Sequence, residues 1–254
     1  MCAWRSMAVM MATVLLVGLA RSADNKAAPY GDISDLKINK PEDKKHVKSV
    51  PAPKDAVVLF DGKSFDNWVG RDGKPVEWKL GEGGAMQVQP GKRDIVTKQK
   101  FDGSFTLHVE FRVPYVPKAS GQGRGNSGVY LQGRYEVQVL DSYGLKSKDN
   151  DCGGIYTVAA PKVNACKAPT VWQSYDIEFT APKCTDSKIG EPGRMTVYHN
   201  GVKIHDNVKL VKGGKPVTNT TAGMGGDPCK PGPILLQDHG HLVQYRNIWL
   251  VARK

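Results

Sequence analysis

Between Phe105 and Val113 the chain alternates without a break. Phe105, Leu107, Val109, Phe111 and Val113 are apolar, and Thr106, His108, Glu110 and Arg112 between them are polar. A period of two puts the first set on one face of a β-strand and the second on the other, a pattern no helix can bury. The same pattern returns where Tyr135, Val137 and Val139 alternate with Arg134, Glu136 and Gln138. It returns again where Tyr175, Ile177 and Phe179 alternate with Trp172, Ser174, Asp176 and Glu178. Asn200-Gly201, between the apolar-rich runs 195–199 and 202–205, is a strong hairpin signal. Shorter strands are expected at 57–60, 77–80, 85–88, 95–97, 155–158, 234–238 and 243–251, and a long loop at 207–231. After the first residues no amphipathic helix of useful length is present. Many short strands with turn chemistry between them predict an all-β chain, a two-sheet antiparallel sandwich with Phe105, Leu107, Val109 and Phe111 between the sheets.

The ends of the chain have a different character. Residues 1–22 read as a secretory signal: Arg5, an apolar run from Met7 to Leu19, and small residues at Ala20 and Ser22. That run is too short to span a bilayer. Residues 23–53, rich in Lys, Asp, Pro and Ala, read as a flexible linker, and 54–254 as the domain. The expected location is therefore secreted or periplasmic, with no stable membrane span. Export makes sense of Cys152, Cys166, Cys184 and Cys229, an even set that predicts two disulfides. Proximity favours Cys152–Cys166 with Cys184–Cys229. A zinc site is discounted because no C-x-x-C spacing occurs. The formal charge of +11 includes Arg5 and Arg21, and the lysines are scattered rather than gathered into a stripe with aromatics, so no nucleic-acid partner is expected.

Several chemistries are excluded by what the motifs lack. The loop Gly121–Gly128 has no G-K-[ST] ending, and Ser127 sits outside any G-x-S-x-G elbow. It reads as a flexible rim from which Asn126 can reach a ligand. A glycosidase needs two carboxyls flanking one bond. Glu136 and Asp141 lie an odd number of positions apart and face opposite ways on a regular strand, so Asp141 reads as a strand-end cap. Glu110 is the second carboxyl if its strand neighbours that of Glu136. Gln237 and His239 share a parity near the end of the chain, and a His–Glu pair offers proton transfer near neutral pH.

The ordered set Leu59–Gly62 (LFDG), Asn67-Trp68, His108–Arg112 (HVEFR), Asn126–Gly133 (NSGVYLQG), Tyr135–Asp141 (YEVQVLD), Gly153–Tyr156 (GGIY), Trp172-Gln173, His199–Gly201 (HNG) and Ile234–Leu250 resembles the 3-keto-disaccharide hydrolase domain family over roughly residues 54–254. The resemblance implies a concanavalin-like jelly roll whose concave sheet holds a sugar, and exported enzymes that cleave glycosides carrying a ketone at C3. Such cleavage needs a base for the C2 proton, donors for the enolate oxygen and an acid for the leaving group. His239 or Glu136 is the expected base. Glu110, Asn126, Arg134, Gln138, Tyr156, Trp172 and Gln237 are the expected substrate contacts, with no required cofactor and a divalent cation compatible with the chemistry. The alternative is a non-catalytic carbohydrate-binding module with Tyr156, Trp172 and Trp68 as stacking platforms. If their strands share one sheet, Glu110, Arg134, Glu136, Gln138, Gln237 and His239 converge on one patch.

Overall fold

The computed structural model describes residue 1 and residues 32–81 and 83–253, so the expected signal, apart from Met1, and the start of the expected linker lie outside the described residues. Among the described residues, seventeen strands follow one another. The first six are β1 (Val57–Phe60), β2 (Trp68–Gly70), β3 (Lys79–Gly81), β4 (Ala85–Gln87), β5 (Ile95–Thr97) and β6 (Ser104–Arg112). Next come β7 (Ser127–Leu131), β8 (Tyr135–Val139), β9 (Gln173–Thr180), β10 (Lys183–Thr185), β11 (Lys188–Glu191) and β12 (Arg194–His199). The last are β13 (Val202–Lys209), β14 (Val211–Lys212), β15 (Lys215–Pro216), β16 (Leu235–Leu236) and β17 (Gln244–Arg253). Helix is confined, among the described residues, to two 3-10 turns, at Pro41–Lys44 and Gly121–Gly123. No described helix is long and apolar enough to cross a membrane.

The strands form an all-β, two-sheet antiparallel sandwich of the jelly-roll kind. The larger sheet runs β13-β12-β9-β6-β17-β4-β3, with β1 also paired to β17; the smaller runs β2-β5-β16-β7-β8. The alternation of β6 is used as its pattern demands. Phe105, Leu107, Val109 and Phe111 are buried in one continuous core with Val129, Leu131, Tyr135, Val137 and Val139 of the smaller sheet. Tyr135 and Phe179 meet across the gap at 5.6 Å between ring centroids. The segment Ile155–Val158, expected as a strand, makes only isolated bridges from Ile155 to Val137 and Ala159. Turns set by Gly153 and Thr157, both at positive φ, keep it from extending.

The polar face of β6 is closed off from solvent: His108 and Glu110 are fully buried. Residues 32–53, whose composition reads as a flexible linker, are what cover it. Val47 N–H donates to Trp172 O, Trp172 N–H to His46 Nδ1, Ser49 Oγ to Glu110 at 2.5 Å, and Asn247 Nδ2 to Val50 O. Over this face the segment is held by hydrogen bonds, while Leu36 and Ile38 ahead of it pack against the core. The cysteines also depart from expectation. Cys184 and Cys229 are disulfide-bonded, as the spacing argument favours, but Cys152 and Cys166 are buried thiols.

Phe111 is wholly buried against Tyr175, at 4.6 Å between ring centroids. Replacing it with Ala is expected to cost about 3–5 kcal/mol through lost transfer energy and the cavity left behind. Urea unfolding of the variant beside the parent measures this, and a loss below about 1 kcal/mol would show that the face is not packed as described.

Candidate functional site

Tyr135, Val137 and Val139 are committed to the core, so the pleat turns Glu136 and Gln138 to the outer face of the smaller sheet. Strand register then decides their neighbours. Glu136 lies opposite Tyr130, Tyr130 opposite Leu235, Leu235 opposite Val96, and Val96 opposite Val69. This row begins at a carboxyl and becomes aliphatic, and Val96, Tyr130 and Leu235 pack there as a small separate cluster. The next row is polar. Gln138 lies opposite Gly128, and Gln237 N–H donates to Gly128 O. Arg71 N–H donates to Asp94 O, and the Arg71 guanidinium pairs with the Asp94 carboxylate at 2.9 Å.

Gly128 is the hinge between the rows. A Cβ there would stand 2.5 Å from Glu136 Oε1 and 2.8 Å from Tyr130 Cε2, so the Glu136 carboxyl occupies the space that any other residue would fill. Gln237 Nε2 donates to Tyr130 Oη at 3.1 Å, and the phenol in turn hydrogen-bonds Glu136. Burial raises the Glu136 carboxyl to about 7; the Tyr130 hydrogen bond works against this rise, and the nearby Asp94 charge adds to it. A side chain poised at neutrality by its surroundings marks a candidate acid–base group.

Loops wall the notch. Tyr156, half-buried, is fixed by its N–H to Glu136 O. Gln138 Nε2 and Asn126 Nδ2 both donate to Gln122 Oε1, leaving Asn126 Oδ1 buried with no partner. Asp238 is pinned by its own N–H to Asp94 and by the Arg93 N–H to its carboxylate. The chain after it presents His239, exposed, with its ring parallel to that of His241 at 6.3 Å. His241 Nε2 donates to Gly123 O, and its Nδ1 is a second buried acceptor without a donor. A depression of about 370 Å³ opens between Arg71, Asp72, Arg93 and Asp94.

Of the residues singled out in the sequence, Asn126, Glu136, Gln138, Tyr156 and Gln237 gather here, with His239 on the adjoining loop. Three do not. Glu110 belongs to β6 and faces outward from the larger sheet, so the whole sandwich separates it from Glu136. With sheets about 10 Å apart, the two carboxyls cannot flank one glycosidic bond. Burial alone would raise Glu110, but hydrogen bonds from His108, Ser49, Asn247 and Arg246 outweigh it and hold the carboxyl at about 2. Trp172 lies on that same far face, stacked between Arg112 at 4.8 Å and Arg246 at 4.2 Å. Arg134 caps the β7–β8 hairpin instead of the notch. Its guanidinium donates to Asp227 O, Lys230 O and Gln132 Oε1, anchoring the loop that carries Cys229. Trp68, the other expected platform, is buried with its indole N–H on Leu59 O. Asp141 is a strand-end residue paired with Arg124 at 2.9 Å.

Sequence reasoning missed Tyr130, Gly128 and Asp94. Tyr130 and Gly128 share the outward parity of Asn126, so the signal was present in Asn126–Tyr130. Asp94 carries none, because its role depends on the pairing of β5 with β16.

A model of the 3-keto-α-glucoside-1,2-lyase-like domain matches residues 55–251. Among solved structures, a "putative glycosyl hydrolase" from Parabacteroides distasonis ATCC 8503 is 38% identical, with 80% of this chain and 86% of that one covered and a TM-score of 0.69. Another glycosyl hydrolase so described from the same organism is 22% identical, with 78% and 99% covered and a TM-score of 0.55; it supports the fold alone. No curated protein matches the chain.

Because the Tyr130 hydrogen bond favours the ionised carboxyl, Tyr130→Phe is expected to raise Glu136 further above 7, by about 1–2 pH units for a bond to a charged group. Carbon-13 NMR titration of the Glu136 carboxyl reads this directly. An unchanged or lower midpoint would show that the phenol does not serve the carboxylate.

Proposed function

The chain belongs to the 3-keto-α-glucoside-1,2-lyase-like domain family, and from that premise we propose that it is a carbohydrate-active enzyme that cleaves the glycosidic bond of 3-keto-glycosides, with Glu136 as the base. The observation that carries the reading is one buried carboxyl raised to about 7 on the outer face of the smaller sheet, with Tyr130 and the Gln237 amide beside it. A ketone at C3 acidifies the C2–H bond. Glu136 takes that proton, and the electron pair passes into the C2–C3 enolate. The enolate returns its pair to expel the C1 substituent, which leaves with a proton, and water adds to the resulting enone at C1.

A single base suffices for this sequence, whereas direct displacement at C1 needs two carboxyls. The remaining groups suit a hydroxyl-rich ligand. The orphan acceptors Asn126 Oδ1 and His241 Nδ1 lack donors, which sugar hydroxyls supply. Gln138 and Gln237 present amides beside the carboxyl, and the half-buried Tyr156 stands next to it. His239, exposed at the mouth, is placed to serve the leaving group or the incoming water. Burial of Trp68 and Trp172 away from the notch leaves Tyr156 as the one expected stacking platform beside it, fewer than a pure binding module would use. Residues 1–22, together with the Cys184–Cys229 disulfide, support an exported enzyme.

A 3-keto-glucoside and its unoxidised parent, incubated side by side with the protein, separate the readings. Aglycone is expected only from the keto sugar, and Glu136→Gln is expected to lower the rate by about 10²–10⁴-fold. Comparable cleavage of the parent would overturn the proposal. The base must be ionised to act, so kcat/KM is expected to fall as pH drops below about 7 and to level above it. His239→Ala, if that side chain assists departure, lowers kcat while leaving this acid limb in place.

A further inference from the structure

We infer that Cys152, Cys166 and His199 form a binding site for one thiophilic divalent cation, zinc in character, buried between the sheets behind β8. The three donors come from separate parts of the chain: the turn after β8, the strandless stretch before β9, and the end of β12. Their two sulfurs and a ring nitrogen all lie within 4.8 Å of one another, and all three residues are buried. Around a tetrahedral zinc, with bonds of about 2.0–2.3 Å, donor atoms stand roughly 3.3–3.8 Å apart. Side-chain adjustments of about 1 Å or less therefore complete the shell.

The surroundings hold the donors as a metal site would. Gln173 Oε1 accepts Lys167 N–H at 2.8 Å, which fixes it as an acceptor, and it stands 3.0 Å from His199 Nε2. The imidazole thus gives its N–H to an amide carbonyl and keeps one lone pair, the second-shell arrangement that orients metal-binding histidines. Cys152 N–H is tied to Ser142 Oγ and Cys166 N–H to Asn164 Oδ1. A water takes the fourth position, with the Tyr175 hydroxyl beside the site 3.0 Å from Cys152 Sγ. On binding, the two thiol protons leave for solvent. Two thiolates, a neutral imidazole and a dication then sum to zero charge, which a buried site requires.

The site has a task in this fold. The chain from 140 to 172 contains no strand, yet it carries Tyr156 and the backbone that borders Gln138. Gly153 N–H and the Tyr175 hydroxyl both donate to Gln138 O, and Gln138 N–H donates to Gly154 O. A cation joining residues 152 and 166 to β12 ties this stretch to the larger sheet, and Gly153 and Gly154 carry that hold to the backbone of Gln138 on β8.

The test uses the full-length protein, prepared without oxidant and freed of metal by dialysis. Titration with Co²⁺ is expected to give one equivalent of thiolate-to-cobalt charge-transfer absorption, displaced by one equivalent of Zn²⁺, with a rise in Tm on zinc addition. Cys166→Ser and His199→Gln are each expected to weaken Co²⁺ binding by at least 10-fold. The wild-type titration stands by itself if either variant fails to fold. Absence of charge-transfer absorption overturns the site, whether thiol titration then finds Cys152 and Cys166 free or peptide mapping finds them joined as a disulfide.

Discussion

The packing of Tyr135, Val137 and Val139 against the larger sheet governs the rest of the molecule, because β8 has no freedom left once those three are buried. The pleat of a strand is rigid at period two. Burying its odd-numbered residues compels Glu136 and Gln138 onto the outer face, and pairing with β7 brings Tyr130 and Gly128 beside them. A slip of one residue in register would exchange core for site. The energy that holds the sandwich together is therefore also what aims the carboxyl, and no separate scaffold is required to orient it.

Two carboxylates show how environment, not residue type, assigns a role. Glu110 and Glu136 both sit on outward positions of buried strands. Glu110 is surrounded by Ser49, Arg246 and Asn247 as well as His108, and its charge is locked in place. Glu136 has one phenol and a nearby negative charge, so its proton affinity sits at the point where transfer in either direction is cheap. One carboxyl is a strut and the other a reactive group, although the sequence patterns around them look alike.

The fold was legible because the apolar positions of β6, β8 and β9 repeat at a period that admits one structure. The site was legible in part for the same reason: Glu136, Gln138 and Asn126 lie on alternating stretches, and their face follows from their neighbours. Glu110 and Trp172 misled because parity tells which face of a strand a residue occupies, not which sheet the strand joins. Arg134 misled because it stands at a hairpin end, where a long side chain reaches the next loop instead of following the strand. Asp94 and the cysteine–histidine group depend on pairings between distant segments, for which spacing holds no sign. The covering segment 46–50 escaped notice since its polarity matches that of a solvated tether.

That covering segment has a consequence for how the domain behaves as an evolutionary module. The family match begins at residue 55, yet Ser49 and Val50 complete the hydrogen bonding of Glu110, Asn247 and Trp249. Recombination that moved only residues 55–251 into a new protein would carry a buried carboxylate without one of its donors and an indole without its acceptor. The unit that keeps these bonds intact is therefore longer than residues 55–251, and a transfer that sheds the leading segment would have to change Glu110 or supply a replacement strap from whatever precedes the domain.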